Sequence, residues 1–210
     1  MTALHTLHID DACLVVAKPA GLLAVPGRGE HLQDCVSARV QAVWPDALVV
    51  HRLDMSTSGL MLFARGLAAQ RTLNQAFAQR KVHKRYIAVV HGCVADAHGE
   101  IDLPLGADWP NRPLQKVDAG LGKPSLTRYH VLAHDAAANT TRVELEPVTG
   151  RAHQLRVHLL AIGHPIIGDA LYAPAPVRAM SERLLLHATA LHFAHPASGA
   201  LLRIESEVPF

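Results

Sequence analysis

A short segment of the chain, His51 to Gly59, combines side chains that could do base or nucleophilic chemistry. Asp54 follows His51 and Arg52 and precedes small hydroxyl residues and a glycine. A carboxylate with a cationic partner keeps a low pKa and stays ionised at neutral pH, which is the form that acts as a nucleophile or base. An aspartate in such a loop is more commonly a turn or capping residue. The segment alone leaves both interpretations open.

Several other chemistries lack their sequence motifs. The chain has no phosphate-cradling Gly-x-x-x-x-Gly-Lys-Ser/Thr, no Gly-x-Ser-x-Gly, and no Gly-x-Gly-x-x-Gly opening a helix after a strand. Nucleotide hydrolysis, ester hydrolysis and dinucleotide-dependent redox chemistry are therefore disfavoured.

The histidines and cysteines do not form a metal-binding pattern. The 15 histidines are spread along the chain without a His-Glu-x-x-His motif, and the three cysteines, Cys13, Cys35 and Cys93, form no close pair. We therefore expect reduced thiols and no metal. A His-rich metal hydrolase is an alternative function, but the scattered spacing argues against it.

Charge is distributed unevenly along the chain. Its 20 Lys plus Arg and 18 Asp plus Glu give a formal net charge of +2, which excludes a strongly basic tail. Between Met55 and Ala95, however, there is no acidic residue and there are six basic ones: Arg65, Arg71, Arg80, Lys81, Lys84 and Arg85. Such a stretch predicts an electropositive face that attracts a polyanion. The alternative is a solvated face whose acidic partners come from elsewhere in the fold.

Length and composition indicate a globular protein. The chain has 210 residues, 50% of them hydrophobic and 18% charged, and no apolar run long enough to span a membrane. His5, His8, Asp10 and Asp11 interrupt the N-terminus, which argues against a secretory signal. We therefore expect a single domain over residues 1–210, located in the cytoplasm and not in a membrane.

Hydrophobic periodicity predicts alternating strands and helices. Apolar runs predict strands at Leu14 to Ala17, Leu48 to Val50, Leu60 to Ala64, Tyr86 to Val90, Arg142 to Glu146, Leu184 to Phe193 and Leu201 to Glu205. Helical spacing appears from Ala69 to Phe77 and from Leu155 to Ile162, with a short basic helix near Arg178 to Arg183. Short turns join several strands, so we predict a mixed α/β (α+β) fold with a mainly antiparallel central sheet.

Long sequence blocks resemble the RluA-type pseudouridine synthases. They are HRLDMSTSG (His51 to Gly59), KRYIAVVHG (Lys84 to Gly92), TGRAHQLRVHLLAIGHPIIGDALY (Thr149 to Tyr172) and, nearest the N-terminus, AKPAGLLAVPG (Ala17 to Gly27). Three more resemble the ribosomal large subunit pseudouridine synthase A group: DWPNRPLQKV (Asp108 to Val117), GKPSLTRYHVL (Gly122 to Leu132) and RLLLHATALHFAHPASG (Arg183 to Gly199). We expect no separate N-terminal RNA-binding module, because the first block begins close to the N-terminus.

The resemblance implies isomerisation of a uridine within RNA. In this family the base is detached from C1′, rotated and reattached through C5, without a cofactor or metal. The resemblance also implies stem-loop substrates in large-subunit rRNA, in the anticodon arm of transfer RNA, or in both. A paired or stacked uridine must be flipped out of its helix to reach the enzyme, at a cost of a few kcal/mol.

The resemblance assigns roles to individual residues. Asp54 matches the catalytic aspartate, Arg156 its partner arginine, and Tyr86 the active-site tyrosine that stacks on uracil. Arg52 matches the residue thought to fill the space left by the flipped base. Further candidates for RNA binding or base flipping are Lys18, Thr57, Arg151, His153, Gln154, Asn111, Arg112 and Lys116.

A second hypothesis places an RNA chaperone or assembly factor on the same fold, without turnover. Asp54 distinguishes the two hypotheses, because a protein that only binds RNA has no use for a carboxylate beside an anionic ligand. With Tyr86 and Arg156 it favours the enzyme. No exposed apolar heptad indicates an oligomer, so we expect a monomer whose partner is RNA.

Overall fold

The structure, a computed structural model, describes residues 4–210. In chain order its strands are β1 (His5–Ile9), β2 (Cys13–Lys18), β3 (Ala47–Val49), β4 (Ser58–Arg65), β5 (His83–His91), β6 (His98–Asp102), β7 (Leu105–Ala107), β8 (Gln115–Val117), β9 (Leu126–Asp135), β10 (Thr140–Pro147), β11 (Leu186–Ala194) and β12 (Leu201–Glu205). The α-helices are α1 (Val36–Val43), α2 (Gly66–Ala78), α3 (Gln154–Ala161) and α4 (Ala175–Arg178), and short 3-10 turns lie at Glu30–Leu32 and Trp109–Asn111.

The chain divides into two units. The first runs to Lys84 and takes in Ala188–Pro209, and the second comprises Arg85–His187 with Phe210. Within residues 4–210 no helix is both long and apolar enough to cross a membrane.

The first unit is built on β2 and β4, which pair antiparallel and are buried on both faces. Alternate residues of β4 point to opposite faces of the sheet. Leu60 and Leu62 therefore pack in one cluster with Leu73 of α2, whereas Met61 and Phe63 pack in another with Val40 of α1. Burial on both faces explains why β4 is a continuous apolar run rather than an alternating one.

The second unit places α3 against an antiparallel sheet in the order β5-β10-β9-β6. Val143 and Leu145 of β10 share a core with Leu155 and Leu159 of α3. Beside this sheet, β7 and β8 form a separate antiparallel hairpin.

The mixed α/β architecture and mainly antiparallel pairing predicted from the sequence are confirmed. The seven predicted strands and both longer helices are present, with bounds shifted by a few residues at most. The predicted helix near Arg178 to Arg183 is wrong, because α4 ends at Arg178 and residues 179–183 form turns and bends. Helix α1 and strands β1, β6, β7, β8 and β9 were not predicted.

Candidate active site

The loop that carries Asp54 is anchored through the backbone of its neighbour Met55. The Met55 carbonyl accepts hydrogen bonds from Lys18 Nζ (2.8 Å) and from the Gly21 N–H (2.8 Å). Lys18 is only 1% exposed, and its ammonium group also donates to the Pro19 carbonyl (2.9 Å). A buried ammonium group is tolerated only when it is hydrogen-bonded. Lys18 therefore fixes the backbone next to Asp54.

Asp54 itself begins a tight turn. Its carbonyl accepts the Thr57 N–H at 3.1 Å, and Thr57 is 2% exposed. Asp54 is half-buried, whereas Arg52 is exposed to solvent. The turn therefore presents a carboxylate and a guanidinium group two residues apart on a loop with a fixed backbone.

His51 holds the start of the same loop. The last residue pair between β3 and β4 is Val49 with Phe63, and beyond it the Leu62 N–H donates to His51 Nε2 at 2.8 Å. The imidazole also stacks on Phe77 of α2, with ring centroids 4.9 Å apart. Burial, together with the charge of Lys84, lowers the pKa of His51 to about 3. His51 therefore stays neutral and keeps Nε2 as an acceptor.

Gly59 follows the loop at a position where no side chain fits. Its φ is +118°, and a Cβ atom would lie 2.3 Å from the Ala188 carbonyl oxygen. A substitution at this position would force the start of β4 away from β11. The prediction that the loop extends to Gly59 is wrong, because Gly59 lies inside β4.

In the second unit, Arg156 of α3 forms a buried ion pair with Asp169. Arg156 Nε donates to Asp169 Oδ2 at 2.8 Å and Nη2 donates to Oδ1 at 2.6 Å. The two side chains are 3% and 1% exposed. Asp169 Oδ1 also accepts the backbone N–H groups of Leu171 and Tyr172. The bidentate geometry fixes the plane of the guanidinium group.

Tyr172 links the start of α3 to the β7–β8 hairpin. Its hydroxyl lies 2.6 Å from His153 Nδ1 and accepts the Gln115 N–H of β8 at 2.9 Å. The Arg156 guanidinium lies over the Tyr172 ring, 5.0 Å from its centroid. His153 precedes α3 in a left-handed backbone conformation, with φ at 53°, which is uncommon outside glycine. These contacts place His153 and Arg156 around Tyr172 in one part of the second unit. The Gln115 hydrogen bond joins the hairpin that carries Lys116 to the same part.

Gln154 and His158 have structural hydrogen bonds inside the second unit. Gln154 Oε1 accepts from the Thr149 hydroxyl and the Arg151 N–H, and its Nε2 donates to the Leu126 carbonyl and Thr127 Oγ1. His158 Nδ1 also meets Thr127 Oγ1 (2.9 Å), and its Nε2 lies 3.0 Å from the Leu103 carbonyl. Burial lowers the pKa of His158. These side chains fix α3 against β9.

The other predicted site residues lie on the surface or on the sheet of the second unit. Arg151 is exposed just before α3, and Tyr86 is half-buried on β5, where it packs beside the core. Asn111, Arg112 and Lys116 are all exposed on the β7–β8 hairpin. Their proposed role in RNA contact stays a prediction.

Arg65 and Arg85, two basic residues of the acid-free stretch, pair with acidic residues from outside it. Arg65 Nε lies 3.0 Å from Asp46 Oδ2, and Arg85 Nη1 lies 3.6 Å from Glu144 Oε2. The alternative interpretation, that acidic residues from elsewhere in the fold neutralise this stretch, therefore holds at these two positions.

One group of side chains in the described part of the chain has the types and spacing of metal ligands. Ligand atoms of His8, Asp10 and Cys13 lie within 4.8 Å of one another. Asp10 Oδ1 accepts the N–H groups of Ala12 and Cys13, and Oδ2 accepts from His8 Nε2 (2.7 Å) and His195 Nε2 (3.1 Å). These hydrogen bonds cap the β1–β2 turn and account for the cluster without an ion.

A protein-family model described as RNA pseudouridylate synthase matches residues 12–161 of this chain. The chain belongs to this family. As a pseudouridine synthase it is an RNA isomerase, and the family resemblance inferred from the sequence blocks is confirmed.

Individual relatives of this pseudouridine synthase agree with the family match. The dual-specificity RNA pseudouridine synthase RluA of Escherichia coli (strain K12) is 52% identical over 204 residues, covering 97% of this chain and 93% of the relative. The protein of the same name from Yersinia pestis is 50% identical over 204 residues, covering 97% and 98%. Among solved structures, human RNA pseudouridylate synthase domain containing 1 has a TM-score of 0.82 at 30% identity and covers 99% of this chain and 84% of that one.

Sequence reasoning did not assign roles to Asp169 and Tyr172 of this pseudouridine synthase. Both lie within the block Thr149 to Tyr172, so the resemblance points to the region but not to the pairing. The one signal in the sequence is the glycine before Asp169, because a glycine can mark a position where only glycine fits. In the structure Gly168 has φ +73° and no room for a Cβ beside the Arg183 carbonyl. A glycine that must approach backbone so closely marks a fixed position for the residue that follows.

Proposed function

We propose that this synthase isomerises specific uridines in stem-loops of large-subunit rRNA and of the transfer RNA anticodon arm. The reaction breaks the C1′–N1 bond and forms a C1′–C5 bond, while the C5 proton is replaced by a proton on N1. No atom is gained or lost overall, so the reaction is an isomerisation. It requires an ionised group that acts as nucleophile or base on an extruded nucleotide.

Asp54 is that group in this proposal. The observation that carries it is the way the loop is held: Lys18 and Gly21 both donate to the Met55 carbonyl, and His51 receives the Leu62 N–H. A catalytic group is most effective when its backbone is fixed before the substrate arrives. The match of Asp54 to the family's catalytic aspartate supports the same role.

The remaining site residues divide by burial. Exposed Arg52 takes the place of the flipped base, and Arg151, Asn111, Arg112 and Lys116 contact the RNA. Tyr86 stacks on the uracil, and Arg156 is the catalytic arginine, oriented by Asp169. The buried residues Lys18, Thr57 and Gln154 position the backbone rather than touch RNA, and His153 orients Tyr172.

The protein's organisation completes the proposal. The family match runs from residue 12 to residue 161 and so includes residues of both units, which supports a single catalytic domain. We propose that it acts as a monomer in the cytoplasm, away from membranes. Light scattering on the purified protein, with and without RNA, measures the oligomeric state.

A tritium-release assay tests the function directly. RNA transcribed with uridine tritiated at C5 releases the label to water when C5 bonds to C1′. We expect the wild-type protein to release tritium from an anticodon stem-loop and from a large-subunit rRNA hairpin. Asp54→Asn should lower the rate at least about 100-fold while binding the same RNAs.

The matched control is Asp34→Asn, which changes an exposed carboxylate of the same unit that pairs with Arg39. This control should keep wild-type activity. Full activity in Asp54→Asn would refute the role of Asp54. Binding without tritium release by the wild-type protein would favour the RNA chaperone instead.

A further inference from the structure

We propose that the indole ring of Trp109 is a stacking platform for an unpaired base of the RNA substrate, an inference that rests on the proposed function. Trp109 lies in the 3-10 turn between β7 and β8 and is 68% exposed. Among the large exposed hydrophobic side chains of residues 4–210, it is the only aromatic one. Most of this aromatic residue is therefore left in contact with water.

One face of the indole is already covered by a cation. The Arg112 guanidinium carbon lies 3.3 Å from the ring centroid of Trp109. A guanidinium group stacked on a tryptophan is a cation–π pair, and it restricts the rotation of both side chains. Because the residue remains 68% exposed with this face covered, the opposite face is open to solvent. A base could therefore complete a stack of base, indole and guanidinium.

The backbone around the platform is fixed by local hydrogen bonds. The Asp108 N–H donates to the Leu114 carbonyl (2.9 Å), and the Asn111 N–H donates to the Asp108 carbonyl (3.1 Å). The Asn111 side-chain amide also donates to Asp108 Oδ2 at 2.9 Å, so that carboxylate is engaged within the turn. A preorganised surface loses little conformational entropy when it binds.

The platform is connected to the proposed site of the second unit. The Gln115 N–H, three residues after Arg112 in the same hairpin, donates to the Tyr172 hydroxyl, which also lies 2.6 Å from His153 Nδ1. The Tyr172 ring lies under the guanidinium of Arg156. A base held on Trp109 would therefore be bound at a set distance from Arg156, the proposed catalytic arginine.

The chemistry of the surface favours RNA over a protein partner. Stacking on an aromatic ring accepts any base, because every base has a π face. Basic side chains that can pair with the flanking phosphates, Arg112 and Lys116, lie on the same hairpin, and the nearby acidic group of Asp108 is bonded to Asn111. The ring and the charges together suit an unpaired nucleotide of a loop.

Binding measurements on the full-length protein test the proposal. The probe is an anticodon stem-loop RNA, and the Asp54→Asn background prevents turnover. Trp109→Ala should raise Kd about 5- to 150-fold, the range found when a base-stacking aromatic is removed. Trp109→Phe should keep most of the affinity. The matched control is Leu121→Ala, which removes an exposed apolar side chain of the same unit, 91% exposed, without removing an aromatic face.

Salt dependence separates stacking from charge. Trp109→Ala should leave the slope of log Kd against log salt unchanged, because no phosphate contact is lost. Arg112→Ala should reduce that slope by about 1 if the guanidinium also contacts a phosphate. An unchanged Kd for Trp109→Ala would overturn the platform, as would an equal loss of affinity for a fully double-helical RNA, since that RNA has no unpaired base to stack.

Fluorescence reports the contact itself. The chain has two tryptophans, so Trp44→Phe leaves Trp109 as the single indole. RNA binding should quench its emission, and an abasic nucleotide at the stacked position should abolish both the quenching and the effect of Trp109→Ala. Unquenched emission in the bound complex would refute the proposal. Tritium release by the wild-type protein is scored separately, so the platform can fail while the proposed function stands.

Discussion

The buried pair of Arg156 and Asp169 makes a quantitative prediction about stability. Replacing Asp169 with Asn keeps the size of the side chain but removes its charge. The carboxylate accepts four hydrogen bonds: two from the guanidinium group and two from the N–H groups of Leu171 and Tyr172. The Asn carbonyl can still accept some of these, but its amide NH2 must face a donor. The guanidinium of Arg156, 3% exposed, would stay buried and lose the negative charge of Asp169.

The expected magnitude follows from that burial. Removing one partner of a buried ion pair costs about 3–5 kcal/mol, because the remaining charge stays desolvated. The matched control is Asp34→Asn, which breaks the pair of Arg39 Nη2 with Asp34 Oδ2 (2.6 Å), where the aspartate side chain is 52% exposed. An exposed pair contributes about 0–1 kcal/mol. The two substitutions are chemically identical and differ in burial.

Urea denaturation followed by circular dichroism measures both free energies of unfolding. A second comparison uses an Arg156→Met background, in which the charge that Asp169 neutralises is gone. It keeps the prediction testable if Asp169→Asn alone is too unstable to analyse. Asp169→Asn should then cost less than it does in the wild-type background, and the difference is the coupling energy of the pair. If Asp169→Asn cost no more than Asp34→Asn, or if its cost were the same in both backgrounds, the reasoning from burial would be wrong.

Two further predictions concern pH. His51→Phe keeps the ring stack on Phe77 but leaves the buried Leu62 N–H without its acceptor, which should cost about 1–3 kcal/mol at pH 7. The pKa of His51 is about 3 in the folded protein against about 6.5 when unfolded. The wild-type protein therefore loses up to about 1.4 kcal/mol of stability per pH unit as pH falls below 6.5, and the variant does not. The urea midpoints of the two proteins should be closer at pH 4.5 than at pH 7, and a constant difference would contradict a neutral folded His51. Burial opposes ionisation of Asp10, but hydrogen bonds from Ala12, Cys13 and two imidazoles outweigh it and hold the pKa of Asp10 below its usual range. Asp10→Asn should destabilise the protein by about 1–2 kcal/mol at pH 7. The difference in stability between the two proteins should shrink as pH falls below about 3.9, the unfolded pKa, towards the lower folded pKa. Thermal melts in which this difference stays constant would rule out an ionised Asp10 cap.

The fold could be predicted from the sequence where burial imposes a clear pattern. Strand β4 is buried on both faces, so its apolar run is continuous, and α2 shows its stripe because one side alone meets the core. Strands β6 and β8 carry mostly exposed polar residues and depend on their neighbours for order, so their local sequence gives little signal. The error after Arg178 has the same origin: the segment from Arg178 to Arg183 is typical of a short exposed helix, but no buried apolar face follows α4.

The site was predictable by residue type but not by partner. The blocks around Asp54 and Arg156 locate the chemistry, yet nothing in them pairs Arg156 with Asp169, 13 positions away across a turn. That pairing depends on how the chain folds back after α3, which involves Gly168 and the backbone of Arg183. Likewise, His51 belongs to a recognisable block, but its role as acceptor for Leu62 follows only from where β3 leaves β4.

Burial sorts the sequence-based site into two physical classes. Some of its members are 1–4% exposed and hydrogen-bonded to other groups of the protein: Lys18, Thr57, Gln154 and Arg156. Others are exposed donors with long or planar side chains: Arg52, Arg151, Asn111, Arg112 and Lys116. A buried group cannot exchange its partner for RNA without unsatisfied hydrogen bonds, so its substitution acts first on stability and on the placement of the loop. An exposed cation gains a phosphate at little cost, so its substitution acts on affinity and salt dependence. Motif matching assigns all nine residues to catalysis or to RNA contact, whereas their burial determines which measurement each of them should change.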